Sequence, residues 1–380
     1  MIRLLTIIFM LSFSIAITIA HAQQEERLIQ IGNVQKWMTE KEIRALAIKS
    51  HEEGHCGGFM DVTDFVNSKG LRRVSTKKNL SAYYLLEDRT PMFMRDVNEL
   101  LGKLSSEKLQ ATVEKLSSFH NRYYQSEEGV QSMEWIASQF QKNKNKRKDI
   151  IVEFFDHKNF KQPSVIATIA GQGELADEIV VIGGHGDSIN WGGGAVSSGT
   201  KTEHARAPGA DDNASGTSTV LEIFRVLSES GFKPKRTLKF MIYAGEEKGL
   251  LGSQDIAEDA KLNKDDVVAV IQFDMTQFPG NGRKIHFITD NTNKELTKFT
   301  QMLSDKYLKL PWTTSSCGYA CSDHASWTSY GYSSVFPFEA DDYNPKIHTS
   351  QDAINKNTDF EFGLDFAKLG LAFAVELGQE

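Results

Sequence analysis

Apolar residues along this chain gather in runs of two kinds. Five runs, at 150–155, 164–170, 179–183, 238–244 and 267–273, have the length and density of strands in a buried sheet. Others repeat at helical spacing. Leu104, Leu109, Val113 and Leu116 form one such stripe, and Val130, Met133, Ala137 and Phe140 another. Further helices are expected at 214–230, with Val220, Leu221, Phe224 and Leu227 facing a core, at 250–260, at 293–307, and in a last segment carrying Phe366, Leu369 and Phe373. Strands alternating with helices predict a three-layer α/β/α sandwich with a mixed, mostly parallel central sheet covered on both faces. Residues 23–90 break this rhythm, with a helical patch at 36–48 and a turn-rich stretch at 54–58. No repeat or low-complexity tract is present.

The first residues add a leader: Arg3, an apolar stretch over 4–19, and the small-residue site Ala20-His21-Ala22. This is the pattern of a secretory signal peptide at 1–22, so the protein is expected to be secreted, extracellular or periplasmic, with no stable membrane insertion. An oxidising compartment follows. There Cys317 and Cys321, four apart, suit a small local disulfide, which leaves Cys56 as an odd thiol. Of the formal net charge of −7, the leader contributes +1 and residues 23–90 another +1, so the body 91–380 carries −9. An acidic body argues against a nucleic-acid partner, which calls for a basic stripe.

The candidate chemistry sits where the predicted strands end. The run 238–244 is followed by Gly245 and two adjacent carboxylates, Glu246 and Glu247. Residues leaving a strand point in different directions, so one can hold a metal while the other faces a water. The run 179–183 leads into His185 and Asp187, and 267–273 into Asp274. Asp211 and Asp212 precede a helix, and His348 lies in the turn-rich stretch 344–352. Each alone has a bland reading as a cap or a loop histidine. Together they bring His, Asp and Glu to one edge of one sheet, the ligand mixture that suits zinc and the number that suits two ions. The segment His51-Glu52-Glu53-Gly54-His55 matches a zinc-peptidase pattern, but Gly54, Gly57 and Gly58 would break the helix that must carry both histidines.

From about residue 101 onward the chain resembles the secreted dizinc leucyl aminopeptidases of bacteria. The resemblance rests on six motifs in order: V-V-I-G-G-H-G-D-S, P-G-A-D-D-N-A-S-G, Y-A-G-E-E-K-G-L-L-G-S-Q-D, Q-F-D-M-T, C-G-Y-A-C-S-D-H-A-S-W and N-P-K-I-H-T-S-Q-D. By position it implies two Zn2+ per chain, with Asp211 bridging them, His185 and Asp274 on one ion, and Glu247 and His348 on the other. Glu246 would be general base and acid, Tyr319 on the Cys317–Cys321 loop would donate to the oxyanion, and Asp187 would orient His185. Ser322, Asp323 and His324 would support the site, and the Asp211–Asp212 peptide would be cis. Met275, Ile288, Tyr319, Phe338, Tyr343 and Ile347 would line an apolar pocket for the first side chain.

The resemblance further implies that 23–90 is a propeptide, that 91–380 is the catalytic domain, and that a maturation protease separates them. Cys56 could cap a zinc until that cut. The substrates would be peptides with a free N-terminus, and a monomer is expected. Three departures stand out: Gly186 where a larger apolar residue is common, Asn213 where Asp is common, and a shorter stretch between Phe338 and His348. Competing readings are a single-zinc glutaminyl cyclase, a carboxypeptidase, and a binding module on a catalytically dead scaffold. Retention of every candidate ligand favours the dizinc hydrolase.

Overall fold

The computed structural model describes residues 26–52, 58–67, 85–86, 89–191, 204–339 and 344–379. The leader at 1–22, Cys56, Tyr343 and most of the stretch between Asn190 and Arg206 lie outside them. Strands β1 (Glu26–Ile31), β2 (Val34–Thr39) and β3 (Met60–Asp61) form a small antiparallel sheet in the order β2-β1-β3. The helix expected over 36–48 is in fact Glu40–Glu52, with 36–39 in β2. Thr39 and Glu42 set that boundary by a reciprocal cap: Thr39 N–H donates to the Glu42 carboxylate at 2.8 Å, and Glu42 N–H to Thr39 Oγ1 at 3.4 Å.

The main sheet has six strands: β4 (Ile150–Phe155), β5 (Ser164–Ile169), β6 (Glu178–His185), β7 (Thr237–Tyr243), β8 (Asp266–Gln272) and, later in the chain, the short β11 (Ser334–Val335). Their order is β11-β8-β6-β7-β5-β4. Pairs β8–β11, β6–β8 and β6–β7 are parallel; β5–β7 and β4–β5 are antiparallel. All five predicted runs are therefore strands, and the sheet is mixed as expected. Residues 180–182, 240–243 and 268–271 are almost fully enclosed. Helices Ser106–Ser118, Glu127–Lys144, Gly216–Glu229 and Phe360–Gln379 share one apolar core with the sheet, through Leu116, Phe140, Phe224 and Phe366 among others. Helix Leu251–Asn263 packs on the other face, where Ile256 and Ala257 meet Val181, Met241 and Trp327.

Beside the main sheet a second one joins β9 (Ile285–Ile288), β10 (Trp312–Ser315) and β12 (Pro337–Phe338) in the order β10-β9-β12. These strands have four, four and two residues, too short for periodicity to announce them. The sheet leads into the Cys317–Cys321 disulfide, which is formed, with a Cα–Cα separation of 6.2 Å.

Candidate functional site

Parallel pairing aligns the carboxyl ends of β7, β6 and β8. Register sets His185 beside Tyr243 and Gly183 beside Gln272, so the residues just beyond β7 and β8 flank the end of β6. Beyond β7, Gly245 has φ of 64°, a left-handed conformation that turns the chain into Glu246–Lys248. Beyond β8, Phe273 N–H donates to Gly183 O at 2.7 Å and the chain leaves the sheet at Asp274. His348, itself at φ 54°, enters from the loop after residue 344.

Two groups of ligand atoms result, each within 4.8 Å: His185, Glu246 and Asp274, and Asp212, Glu247 and His348. Asp212 joins the groups. Its Oδ1 lies 3.1 Å from His185 Nε2 and its Oδ2 lies 3.0 Å from His348 Nε2. His185 Nε2 is also 3.4 Å from Asp274 and 3.9 Å from Glu246, and His348 Nε2 is 2.9 Å from Glu247.

The expectation for Asp211 is corrected by this geometry: the carboxylate between the histidines belongs to Asp212. Asp352 accepts the N–H of Asp211 and the N–H of Asp212, one on each oxygen, both at 3.1 Å. Asp211 then turns to Asn344, whose Nδ2 donates to its Oδ2 at 3.1 Å. Burial and the neighbouring Asp352 raise the Asp211 carboxyl well above the carboxylate range. Likewise the cis peptide lies between Asp212 and Asn213, one residue later than the resemblance implied.

The surrounding residues hold this arrangement. Asp187 lies 3.3 Å from His185 Nδ1 and accepts the N–H groups of Glu246 and Glu247 at 3.0 and 3.2 Å, so it orients the histidine and the glutamate turn together. Ser322 donates to Asp274 at 2.6 Å, while Gln272 donates to Ser322 and to Asp323. His324 instead faces Asp290 O at 3.1 Å and stands outside both ligand groups.

Sequence reasoning missed several supports. Asn213 donates to Phe273 O and accepts from Gly216 N and Met275 N, tying the ends of two elements together. Fully buried Arg122 donates to Gly186 O, Leu116 O, Pro208 O and Gly209 O, gathering the chain on both approaches to the site. Asp352 and Asn344 stood inside a quoted motif and were legible as polar residues beside His348; Arg122 had no such signal. Gly186 also finds its reason, since a Cβ there would stand 2.6 Å from Met133 Cε, the side chain that fills the space.

Four carboxylates and two imidazoles, all largely enclosed, leave the site rich in negative charge. Burial raises Glu246 well above the ordinary glutamate range, against the pull of His185 and with help from Asp274. Burial likewise takes Glu247 up to about 8. On His185 burial opposes the charge, but Asp274 and Glu246 overcome it and raise the imidazole. Burial opposes the charge on Asp212 too, yet hydrogen bonds from both histidines drive it well below its usual range. Glu247 Oε1 and Asp274 Oδ1 are buried without a hydrogen-bond partner among the described residues. Carboxylate oxygens left unmet beside two imidazoles, amid concentrated negative charge, are what divalent zinc-like cations satisfy, so the residues fit two metal ions.

The expected apolar pocket is brought together in part. Ile288, Cys321 and Phe336 form one cluster with Tyr319 and Phe338 packed on it. Met275 and Ile347 are fully buried outside that cluster. His51 and Glu52 of the zinc-peptidase look-alike end the helix Glu40–Glu52, and the rest of that pattern lies outside the described residues.

Comparison with known proteins gives three concordant results. The sequence profile "Peptidase family M28" matches residues 164–365. A probable leucine aminopeptidase of the fungus Arthroderma otae is 40% identical over 358 residues, covering 92% of each chain. Among solved structures, the LapA aminopeptidase of Legionella pneumophila superposes with a TM-score of 0.79 at 29% identity over 94% of each chain. LapB of the same organism gives 0.78 at 30%, over 94% of this chain and all of that one. A glutaminyl cyclase of Bacteroides thetaiotaomicron shares the fold alone, at 17% identity and TM-score 0.58, over 73% of this chain. The bacterial scope of the resemblance is thus too narrow, because the similarity extends to fungal enzymes.

Proposed function

Because this chain belongs to peptidase family M28 and is a metallo-aminopeptidase, we propose that it removes apolar, leucine-type residues from the free N-terminus of peptides, using two zinc ions. The observation that carries this reading is Asp212, whose two oxygens each face a different histidine and so link two ligand groups. His185 and Asp274 would hold one ion, Glu247 and His348 the other, and Asp212 both. When bound, such a pair supplies Lewis acidity and a water acidic enough to ionise near neutral pH.

The chain's own groups do the rest. Glu246 stands within the first ligand group, and burial makes it a stronger base than an exposed glutamate. It takes the proton of the attacking water on its carboxylate and returns it to the leaving amine. Asp187 keeps the Glu246 N–H and the His185 ring in register while this happens. The acidic cradle favours a substrate presenting a positive α-amine. Tyr319, on the disulfide loop, is placed in this reading to donate to the developing oxyanion. The apolar cluster of Ile288, Phe336 and Phe338 would receive the first side chain. Secretion through the 1–22 leader belongs to the same proposal.

Leucine p-nitroanilide and its N-acetyl derivative separate the readings. Rapid hydrolysis of the free-amine compound and none of the acetylated one is expected. Equal rates on both would overturn the aminopeptidase reading, and cyclisation of glutaminyl peptides without leucine release would replace it with the cyclase.

A further inference from the structure

Strand β9 ends at Ile288, and each residue of the turn that follows, 289–291, is bonded to the segment that carries the disulfide loop. Thr289 donates its N–H and its hydroxyl to Ser315 O, both at 3.0 Å. One oxygen of the Asp290 carboxylate, Oδ2, accepts the N–H of Cys317 at 2.5 Å and the N–H of Gly318 at 2.9 Å. Asn291 Nδ2 reaches Tyr319 O at 3.5 Å. Two consecutive N–H groups converging on one anion form a nest. Gly318, at φ +82°, occupies the left-handed region that lets the chain curl around the carboxylate.

The turn is itself held from behind. Asp290 O faces Nε2 of buried His324 at 3.1 Å, and Asn291 O accepts the hydroxyls of Thr328 and Ser334 at 2.7 and 3.2 Å. His324 and Thr328 belong to the helix His324–Ser329, and Ser334 opens β11 of the main sheet. Asp290 is thus fixed to the body of the protein. A disulfide between residues four apart sets the shape of the loop it closes but leaves the tilt of that loop free. At one end the loop is tied to the metal cradle, because Ser322, the residue after Cys321, donates to Asp274 at 2.6 Å. Held there alone, it could swing. Asp290 ties the other end, at Cys317 and Gly318, and Tyr319 lies between the two ties. A carboxylate acceptor makes such bonds about twice as strong as a neutral oxygen would.

We propose that Asp290 is a positioning residue for the reaction: its carboxylate holds the disulfide loop at the tilt the Tyr319 hydroxyl needs to meet the developing oxyanion. The disulfide gives the loop its shape and Asp290 gives it its aim. The kinetic consequence rests on the role given to Tyr319 under the aminopeptidase reading.

The test is a double-mutant cycle on leucine p-nitroanilide with Asp290→Ala, Tyr319→Phe and the two combined, zinc content being measured alongside. A contact made only in the transition state shows in kcat and not in KM. Tyr319→Phe should lower kcat about a hundredfold. Asp290→Ala should lower it about tenfold, with KM within about twofold of wild type and zinc content unchanged. In the Tyr319→Phe background the same change should cost less than about twofold, since no hydroxyl is left to misplace. Asp290→Asn keeps an oxygen acceptor and should stay within about threefold of wild type. Asp290 is half-buried, so the alanine variant should fold; if it does not, Asp290→Ser, whose side chain stops short of the loop, repeats the cycle. No loss, a loss that falls on KM, or an equal loss with and without the Tyr319 hydroxyl would overturn the proposal. Fluorine NMR of 3-fluorotyrosine-labelled protein reads the same placement without turnover. The line that vanishes in Tyr319→Phe should be narrow in wild type and broadened or split in Asp290→Ala, and an unchanged line would overturn the proposal. A Tyr319→Phe enzyme that kept its kcat would refute the oxyanion role alone, and the fluorine line would then decide whether Asp290 holds the ring.

Discussion

Asp211 and Asp212 share one anchor, the Asp352 carboxylate that accepts both of their N–H groups, yet their side chains meet different partners. Asp212→Asn removes the charge between the two histidines and should lower zinc content below two per chain with loss of activity. Asp211→Asn should keep both ions, and metal analysis of the two variants distinguishes them. Asp274 depends on the hydroxyl of Ser322, so Ser322→Ala should weaken metal binding about tenfold, read by chelator competition. A pH effect follows from Glu247. In the metal-free protein burial raises it from 4.5 to about 8, so the native state keeps a proton that the unfolded chain releases. That stabilisation is fully present below 4.5 and is lost as pH rises through about 8. The melting temperature of chelated protein should fall over that window, and added zinc should restore most at its upper end.

At the scale of elements, the site is a consequence of strand ends. His185, Glu246 and Asp274 meet because β7, β6 and β8 run parallel in adjacent register, and their apolar runs and following acids made this much legible in sequence. What escaped was settled by backbone detail. Periodicity cannot tell which of two neighbouring aspartates faces inward when Asp352 holds both of their N–H groups, nor find a sheet built from strands of two to four residues. Asp255, His157 and Ser164 form a hydrogen-bonded series, at 2.7 Å and 2.8 Å, that resembles a serine-hydrolase triad. Ser164 is fully buried on β5, and its Oγ accepts the Ala244 N–H at 3.0 Å. The series braces the end of β7 just ahead of Glu246. Ser164→Ala should therefore cost about 1–3 kcal/mol of stability by denaturant unfolding, from the lost hydrogen bonds, while a serine-directed fluorophosphonate should not label the wild type.

Over the whole molecule, an acidic body presents its most concentrated buried charge at one sheet edge, and the N-terminal sheet closes over the loops that surround it. No helix among the described residues is long and apolar enough to cross a membrane. In the proposed mechanism two adjacent glutamates divide the labour, one a metal ligand and one a base, beside a cradle for two ions. Zinc content measured together with leucine-anilide hydrolysis, for wild type, Glu246→Gln and Glu247→Gln, tests that division most directly. About two zinc per chain are expected in wild type, retained in Glu246→Gln with kcat lowered by about a hundredfold or more, and reduced in Glu247→Gln. Fewer than two zinc in the active wild type, or a Glu246→Gln enzyme that keeps its rate, would contradict it.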